Sequence, residues 1–426
     1  MIKFIPRTFL HILLFFSLAV SFIMGFTGCE EEKNTVELTF ASWRIDDVDE
    51  MDYIIEQFSQ IRPDISVRFE AYDPVIYDSI VKKNLTEGRG ADIIFLWSYD
   101  KGRAYYDAGY LYDLTETIPN LSPYAAIPLH AWTTGEGATY AVPSVGVTHG
   151  IYYQKSLFDA YDLQEPTTWE EFMAACDKLL AGGETVIAQG ASDSWTLNRV
   201  VFCGLGANFY NGETGRQALM NGTRKLTDPN FIKAFEVIYS LRDYFPEGYE
   251  TLGYEDARQM FASGDAAMFI GGSWEISVFE GLGADTTDIG WFPPPVKNAG
   301  DKLQYCFHVD AGIAVNKHSK NLEAALEYAK WTSSLVYAQL FTSELPGFFS
   351  YHPEPITLAH PLAQEMLEAA STADLTVRLM SERLSAQSPG GEDLLNEALQ
   401  GMFLGIYTPE TAAAYVQDQL DTWYQP

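Results

Sequence analysis

The stretch from Phe261 to Trp274, FASGDAAMFIGGSW, reads as the end of an amphipathic helix and a glycine turn at Gly264. A short apolar strand from Ala266 to Ile270 follows, then a second turn at Gly271-Gly272. That turn delivers Ser273 and Trp274 to the start of another helix. A strand that ends in glycines and opens a helix presents backbone N–H groups at a positive helix terminus, where ligand oxygens bind well. A large flat indole at such a lip is better placed to grip a ligand than to fill a core.

Upstream, VELTFAS at 36–42 alternates as a strand and ends at Trp43-Arg44-Ile45-Asp46. Val48, Met51, Ile55, Phe58 and Ile61 follow at helical spacing, and the helix stops before Pro63. Ile65, Val67 and Phe69 form a second strand, and another helix runs from Val75 to about Leu85. Ala91 to Leu96 (ADIIFL) is a continuous apolar strand of the kind buried on both faces of a parallel sheet, opening into Trp97-Ser98-Tyr99-Asp100-Lys101. This alternation predicts an α/β lobe with helices on both faces of its sheet.

The pattern then breaks. Residues 118–146 are rich in Pro, Gly and small residues, with a hairpin around Gly135-Glu136-Gly137. Thr148 to Tyr153 reads as an extended crossing segment, as does Phe307 to Val315, so two lobes are joined by more than one strand. Thr168 and Glu171 have capping-box spacing at a new helix, helices dominate 172–262, and Asn321 is placed to cap a helix. A final helix runs from Pro409 to about Trp423.

The chain opens with Lys3 and Arg7, an apolar run from Phe9 to Phe26, and then Thr27-Gly28-Cys29, the layout of a secretory signal. A retained transmembrane anchor is the plainer alternative for so long a run. The Gly28-Cys29 junction, followed by Glu30 to Asn34, resembles a lipobox, with cleavage before Cys29 and lipid on its sulfur. Residues 1–28 are thus expected as a lipoprotein signal and 29–35 as a lipidated tether, which places the mature chain outside the cytoplasm on a bacterial cell membrane. What remains is 398 of the 426 residues, enough for two domains. Its net charge moves from −31 to −33 because the signal holds two cations and no acid. Such acidity excludes nucleic acid, whose binding depends on Lys and Arg neutralising phosphates. Cys176 lies in an amphipathic helix pattern and reads as a core residue, while a disulfide between two of Cys176, Cys203 and Cys306 stays open.

With these segments in order, the chain resembles the extracellular solute-binding proteins of ABC importers, carbohydrate branch, which includes maltose-binding protein. Gly264, Ala267, Met268, Gly272 and Trp274 match the family's Gly-x-x-Ala-Met segment ending in Gly-x-Trp. TYAVPSVGVTHGIYYQKSLFD (139–159), with PTTWEEF (166–172), resembles the first hinge crossing and the helix after it. AGIAVNKHSKNLEAALEYAKWTSS (311–334) resembles the return crossing. ADIIFLWSYDKGRAYYDAGYLYDLTE (91–116) resembles a segment bearing a sugar-stacking Trp, an Asp and a basic residue; those roles fall to Trp97, Asp100 and Lys101. The resemblance implies a two-lobed periplasmic-binding-protein fold with hinge-linked lobes and a cleft between them. On that template one lobe takes 36–146 and 312–345, the other 147–308 and 346–426.

A sugar presents flat C–H patches ringed by hydroxyls, which aromatic faces and charged or amide groups match. The expected ligand-binding residues lie at strand ends and crossings. They are Trp43, Arg44 and Asp46 after the first strand, then Trp97, Tyr99, Asp100 and Lys101 after the third. His149 and Asp310 follow at the crossings, Ser273 and Trp274 at the helix mouth, and Trp195 with Asp193 and Asn198 in a polar loop. His149 reads equally as a satisfied hinge histidine, and Asp46 as a helix-start acid. Asp46, Asp47, Asp49 and Glu50 lack the Gly and spacing of an EF-hand. HExxH, GxSxG, Walker A and zinc-spaced Cys/His patterns are missing from the sequence, so neither cofactor nor metal is expected. The reading is a monomeric, non-enzymatic binding protein that passes a sugar or oligosaccharide to ABC permease subunits. The alternatives are a sensor for a membrane kinase or, in a different class, a surface polysaccharide-degrading enzyme with two carboxylates across its cleft.

Overall fold

The computed structural model describes residues 35–118, 121 and 129–426. The expected signal, Cys29 and the tether as far as Asn34 lie outside these residues. No helix among the described residues is long and apolar enough to cross a membrane.

Nine strands form one curled sheet. They are β1 (Val36–Ser42), β2 (Ile65–Ala71), β3 (Ile93–Trp97), β4 (Val142–Gln154), β5 (Met268–Gly272), β6 (Ile289–Phe292), β7 (Gln304–Val315), β8 (Phe349–Ser350) and β9 (Asp374–Thr376). The main path runs β2-β1-β3-β7-β4-β5, with β6 and β8 on β4 and β9 on β7. At one end β1 pairs in parallel with both β2 and β3, as the strand–helix alternation predicts.

The two expected crossings are the joints of this sheet. The first half of β4 pairs antiparallel with β7, from Val142 opposite Ile313 to Thr148 opposite Phe307. Its second half turns to β5 and β6, pairing His149 with Gly272 and Ile151 with Phe292. In the other direction β7 reaches β3, with Trp97 opposite Ala311. All thirteen residues of β4 are buried, which suits a strand covered throughout its length.

Local signals account for much of the rest. The helix Val48–Ile61 buries Met51, Ile54, Ile55 and Phe58. Each such side chain contributes about 1.5–3 kcal/mol. Val48 and Ile61, expected on the same stripe, are exposed because they stand at the helix ends. Thr168 accepts from the Glu171 N–H at 3.3 Å and Glu171 accepts from the Thr168 N–H at 3.0 Å, the reciprocal cap the spacing foretold. Thr133 bridges Thr139 around Gly137, whose φ is +94°, as a hairpin requires.

Two local readings need correction. Asn321 stands at the N-cap position but its side chain makes no cap bond: its amide donates to the Glu37 carbonyl at 3.1 Å and so ties that helix to β1. Gly271-Gly272 is not a turn but the end of β5, opposite Gly150 and His149. The glycines serve close packing instead. A Cβ on Gly272 would stand 2.1 Å from the Trp274 ring, so the bare backbone lets the indole lie against the strand.

Cys203 and Cys306 form a disulfide with Cα atoms 6.3 Å apart, and Cys176 is a buried free thiol in its helix.

Candidate functional site

Trp43 to Asp46 after β1 and Trp97 at the end of β3 emerge at one edge of the sheet, because parallel neighbours end on the same side. Opposite them stand Trp274 after β5, the helix Tyr254–Ala262, and the short helical run from Ser194 through the π-helical Leu197–Phe202. Between these walls lies a cavity of about 360 Å³. That is within the usual range for small-molecule sites, near its lower end.

Eight of the twelve expected ligand-binding residues line it: Trp43, Arg44, Asp46, Trp97, Lys101, Trp195, Trp274 and Asp310. Trp43 stacks on Trp97 at 3.5 Å between ring centroids with an 11° interplanar angle, and Phe95 covers its other side at 4.7 Å. Trp43 therefore braces Trp97. Across the cavity the Trp274 indole N–H donates to the Tyr254 hydroxyl at 3.2 Å, and that hydroxyl donates to Glu275 at 2.5 Å. Trp195 lies 4.8 Å from the Tyr254 ring, which makes a second aromatic corner.

The other four stand elsewhere. Ser273 is fully buried, its Oγ accepting from the Thr148 N–H at 3.1 Å and its N–H donating to the Thr148 carbonyl at 2.8 Å. Successive residues face opposite sides of an extended segment, so turning Trp274 to the cavity turns Ser273 away. The Ser273 N–H just before the helix that follows Trp274 is thus already engaged by β4. His149 is buried behind Trp274, edge-on to its ring at 5.4 Å. Tyr99 and Asp100 border a smaller recess that shares Trp97, Lys101, Arg199 and Arg378 with the main cavity. Tyr99 has a left-handed backbone, φ +57°, which turns the chain sharply after Trp97.

Sequence reading named Arg44 but missed Arg199, Arg258 and Arg378, the other arginines that organise the polar walls. Arg258 makes two bonds to Asp46, at 3.0 and 3.1 Å, from the opposite wall. Arg378 donates to Asp310 at 3.2 Å, and Arg199 donates to Glu392 at 2.8 Å while its guanidinium lies 5.3 Å from the Trp97 ring centroid. Arg44 is held by Asp47 at 2.5 and 2.7 Å. The one available hint was Arg258, a cation within an otherwise amphipathic helix whose inner face it shares with Ala257 and Phe261.

Charge follows this pairing. Burial alone would raise the Glu392 carboxyl, but Arg199, Lys101 and Arg378 hold it down at about 2. Burial raises Asp310 despite Arg378. Lys101 is lowered by burial and then by Arg199. Burial pushes Glu275 up to about 7 against the pull of Arg258, and Asp100 up to about 6 with help from Glu382. Burial also takes His149 down to about 3, with Arg378 adding to the effect.

The His149 shift has a measurable sign. A histidine kept neutral by folding binds fewer protons folded than unfolded, so its stabilisation is complete above pH 6.5 and is lost as pH falls toward 3. The slope is about 1.4 kcal/mol per pH unit within that window. Glu275 works the other way: its stabilisation is present below the unfolded value of 4.5 and is lost as pH rises through 7. Urea unfolding of His149→Gln at pH 6, 5 and 4 should show a shallower pH dependence than the parent protein; equal slopes would contradict the assignment.

His149, Cys203 and Cys306 are the group of His, Cys and acidic residues among the described residues compact enough to suggest a metal. There the two sulfurs are bonded to each other, which removes them as ligands.

A sequence profile of bacterial extracellular solute-binding proteins matches residues 44–334. The multiple sugar-binding protein of Streptococcus mutans is 24% identical over 318 residues, which cover 72% of each chain. The mannitol-binding protein of Pseudomonas aeruginosa is 24% identical over 373 residues, or 79% of each chain. Among solved structures, a chitin oligosaccharide binding protein superposes with a TM-score of 0.78 at 22% identity, covering 91% of this chain and 99% of its own. The solute-binding protein RafE in complex with raffinose gives 0.77 at 22% identity, covering 92% of this chain and 100% of its own. These structures share the two-lobed fold seen here. With the profile spanning well over half of its length, the chain belongs to the bacterial extracellular solute-binding protein family.

Proposed function

We propose that this chain captures a sugar or short oligosaccharide in the cavity between its two sheet ends and delivers it to ABC permease subunits. One observation carries the reading. Trp97 and Trp274 line one cavity with Trp43, Trp195 and Tyr254, beside the carboxylate–arginine pairs Asp46–Arg258 and Asp310–Arg378. Burying roughly 80–100 Å² of one aromatic face gives about 2 kcal/mol. Two such faces with charged hydrogen bonds reach micromolar affinity, about −8 kcal/mol, after ordering costs. The names of the sugar- and mannitol-binding relatives support the same ligand class.

The pairing also favours a binder over a hydrolase. A general acid must keep a raised pKa and reach its substrate. Asp46, Glu255, Asp310 and Glu392 are each held by an arginine, while Glu275, raised to about 7, is fully buried behind Trp274 and Asp100, raised to about 6, borders the smaller recess rather than the main cavity. On this reading the lobes comprise 36–146 with 312–345 and 147–308 with 346–426, the mature protein is a monomer, and Cys29 carries a lipid anchor. Closure couples recognition to delivery because the ligand touches both walls at once only when they meet.

Titration calorimetry against mono-, di- and trisaccharides and polyols, with chromatography of the ligand afterwards, tests the proposal. Saturable binding with intact ligand supports it. Multiple turnovers to a smaller product would establish an enzyme instead.

A further inference from the structure

The helical run from Ser194, strand β7 and strand β4 meet at one buried point behind the cavity. The helical run Ser194–Leu205 carries Trp195 and Arg199 into the cleft and Cys203 about one turn beyond Arg199, outside the cavity lining. Strand β7 carries Asp310 into the cleft and Cys306 at its other end. Strand β4 brings His149, whose Nδ1 lies 3.7 Å from the Cys203 sulfur and whose ring edge meets Trp274. Thr148 completes the joint: its hydroxyl donates to the Cys306 carbonyl at 2.9 Å while its backbone pairs with Ser273. The helix backbone sits directly on this histidine, since a Cβ on Gly204 would come within 3.2 Å of the His149 Cβ.

The helical run itself is poorly suited to hold Arg199 unaided. Residues Leu197–Phe202 form a π-helix, a rare and less regular arrangement that recurs at functional sites. Besides the disulfide, the run is tied by side-chain bonds to the helix Gly391–Phe403, from Asn198 to Asn396 at 2.9 Å and from Arg199 to Glu392, and at its start by the Thr196 hydroxyl, which donates to the Asp193 carbonyl at 2.9 Å.

We propose that the Cys203–Cys306 disulfide is a positioning element of the ligand site. Through the helical run it fixes the Arg199 guanidinium beside Trp97, and through His149 it fixes the ring plane of Trp274. The ligand-binding consequence rests on the sugar-capture reading above. Reduction by a dithiol transfers two electrons and two protons to the disulfide, yielding two thiols and the cyclic oxidised reductant. Both sulfurs then move apart to ordinary contact distance, and the helical run is released from β7. Cys203 and Cys306 are almost wholly buried, so the cross-link acts as a fixed brace set when the chain is first oxidised.

The test compares the parent protein with Cys203→Ala/Cys306→Ala, using the tightest saccharide found by calorimetry. The double variant should bind at least tenfold more weakly at a temperature where its tryptophan near-UV circular dichroism remains native-like. Phe58→Leu, which disturbs a core distant from the joint, serves as the control of lowered stability and should keep parental affinity. Should the double variant not fold, parent protein reduced with a dithiol should lose the same affinity and regain it on reoxidation. Parental affinity in the double variant, or in fully reduced parent protein, would overturn the proposal and leave the disulfide a staple of overall stability. Hydrogen exchange without ligand separates this from failure of the sugar reading. Faster exchange confined to 194–205 and 273–276 supports positioning even where no saccharide binds, and unchanged exchange there overturns it.

Discussion

Trp274→Ala is expected to weaken ligand binding at least tenfold and to cost the fold about 3–5 kcal/mol, the usual loss for truncating a buried Trp. Both losses have one origin. The indole is 8% exposed, lies against Gly272, meets the edge of His149 and donates to Tyr254, so it is a cavity wall and a core member together. Trp274→Phe separates the two roles. It keeps an aromatic face but leaves the Tyr254 hydroxyl without its donor, a loss of about 1 kcal/mol. Calorimetry and urea unfolding on the same samples give both quantities. An alanine variant that binds at parental affinity would move the site away from this wall.

Asp310→Ala should be the most damaging single change among the cleft carboxylates, at about 3–5 kcal/mol, because it strands a buried guanidinium. Arg378 is 7% exposed, its Nη2 donates to Asp310 at 3.2 Å, and its Nε has no hydrogen-bond partner among the described residues. Burial already lowers the Arg378 pKa, and loss of Asp310 removes the first group that opposes this. Asp310→Asn retains an acceptor and should lose less. Asp310→Leu/Arg378→Met, which removes both charges, should recover most of the stability while still binding poorly. If the double change is as unstable as Asp310→Ala, the pair is a net source of stability and the stranded-charge account fails.

How far the site was legible follows from how its parts are encoded. Trp43, Trp97 and Trp274 each follow an apolar strand, and strand ends can be found from period and glycine punctuation alone. Their convergence then follows from the parallel pairing of β1 with β3 and the crossing of β4. Ser273 and His149 were misplaced because a local motif names the segment at a cleft but not which side of the backbone faces it. The arginines were invisible for another reason. Arg258 meets Asp46 across 212 residues and Arg199 meets Glu392 across 193, and nothing in the neighbourhood of either cation announces its partner. The same holds for the disulfide, whose cysteines are 103 residues apart.

The way β4 and β7 run side by side has a mechanical consequence. Two separate single-strand tethers would allow the halves of the molecule to swing, twist and slide, and each closing event would surrender that orientational freedom. Here the tethers are hydrogen bonded to one another from Val142–Ile313 to Thr148–Phe307, so they flex as one ribbon. A ribbon bends readily about the axis lying across its width and resists shear in its own plane. The register shifts at Pro143 to Gly146 interrupt the ladder and mark where that bending concentrates. On the two-lobe reading, this ribbon, with the further crossing at 345–346, favours bending over twisting and sliding, so less orientational entropy is lost when the halves meet.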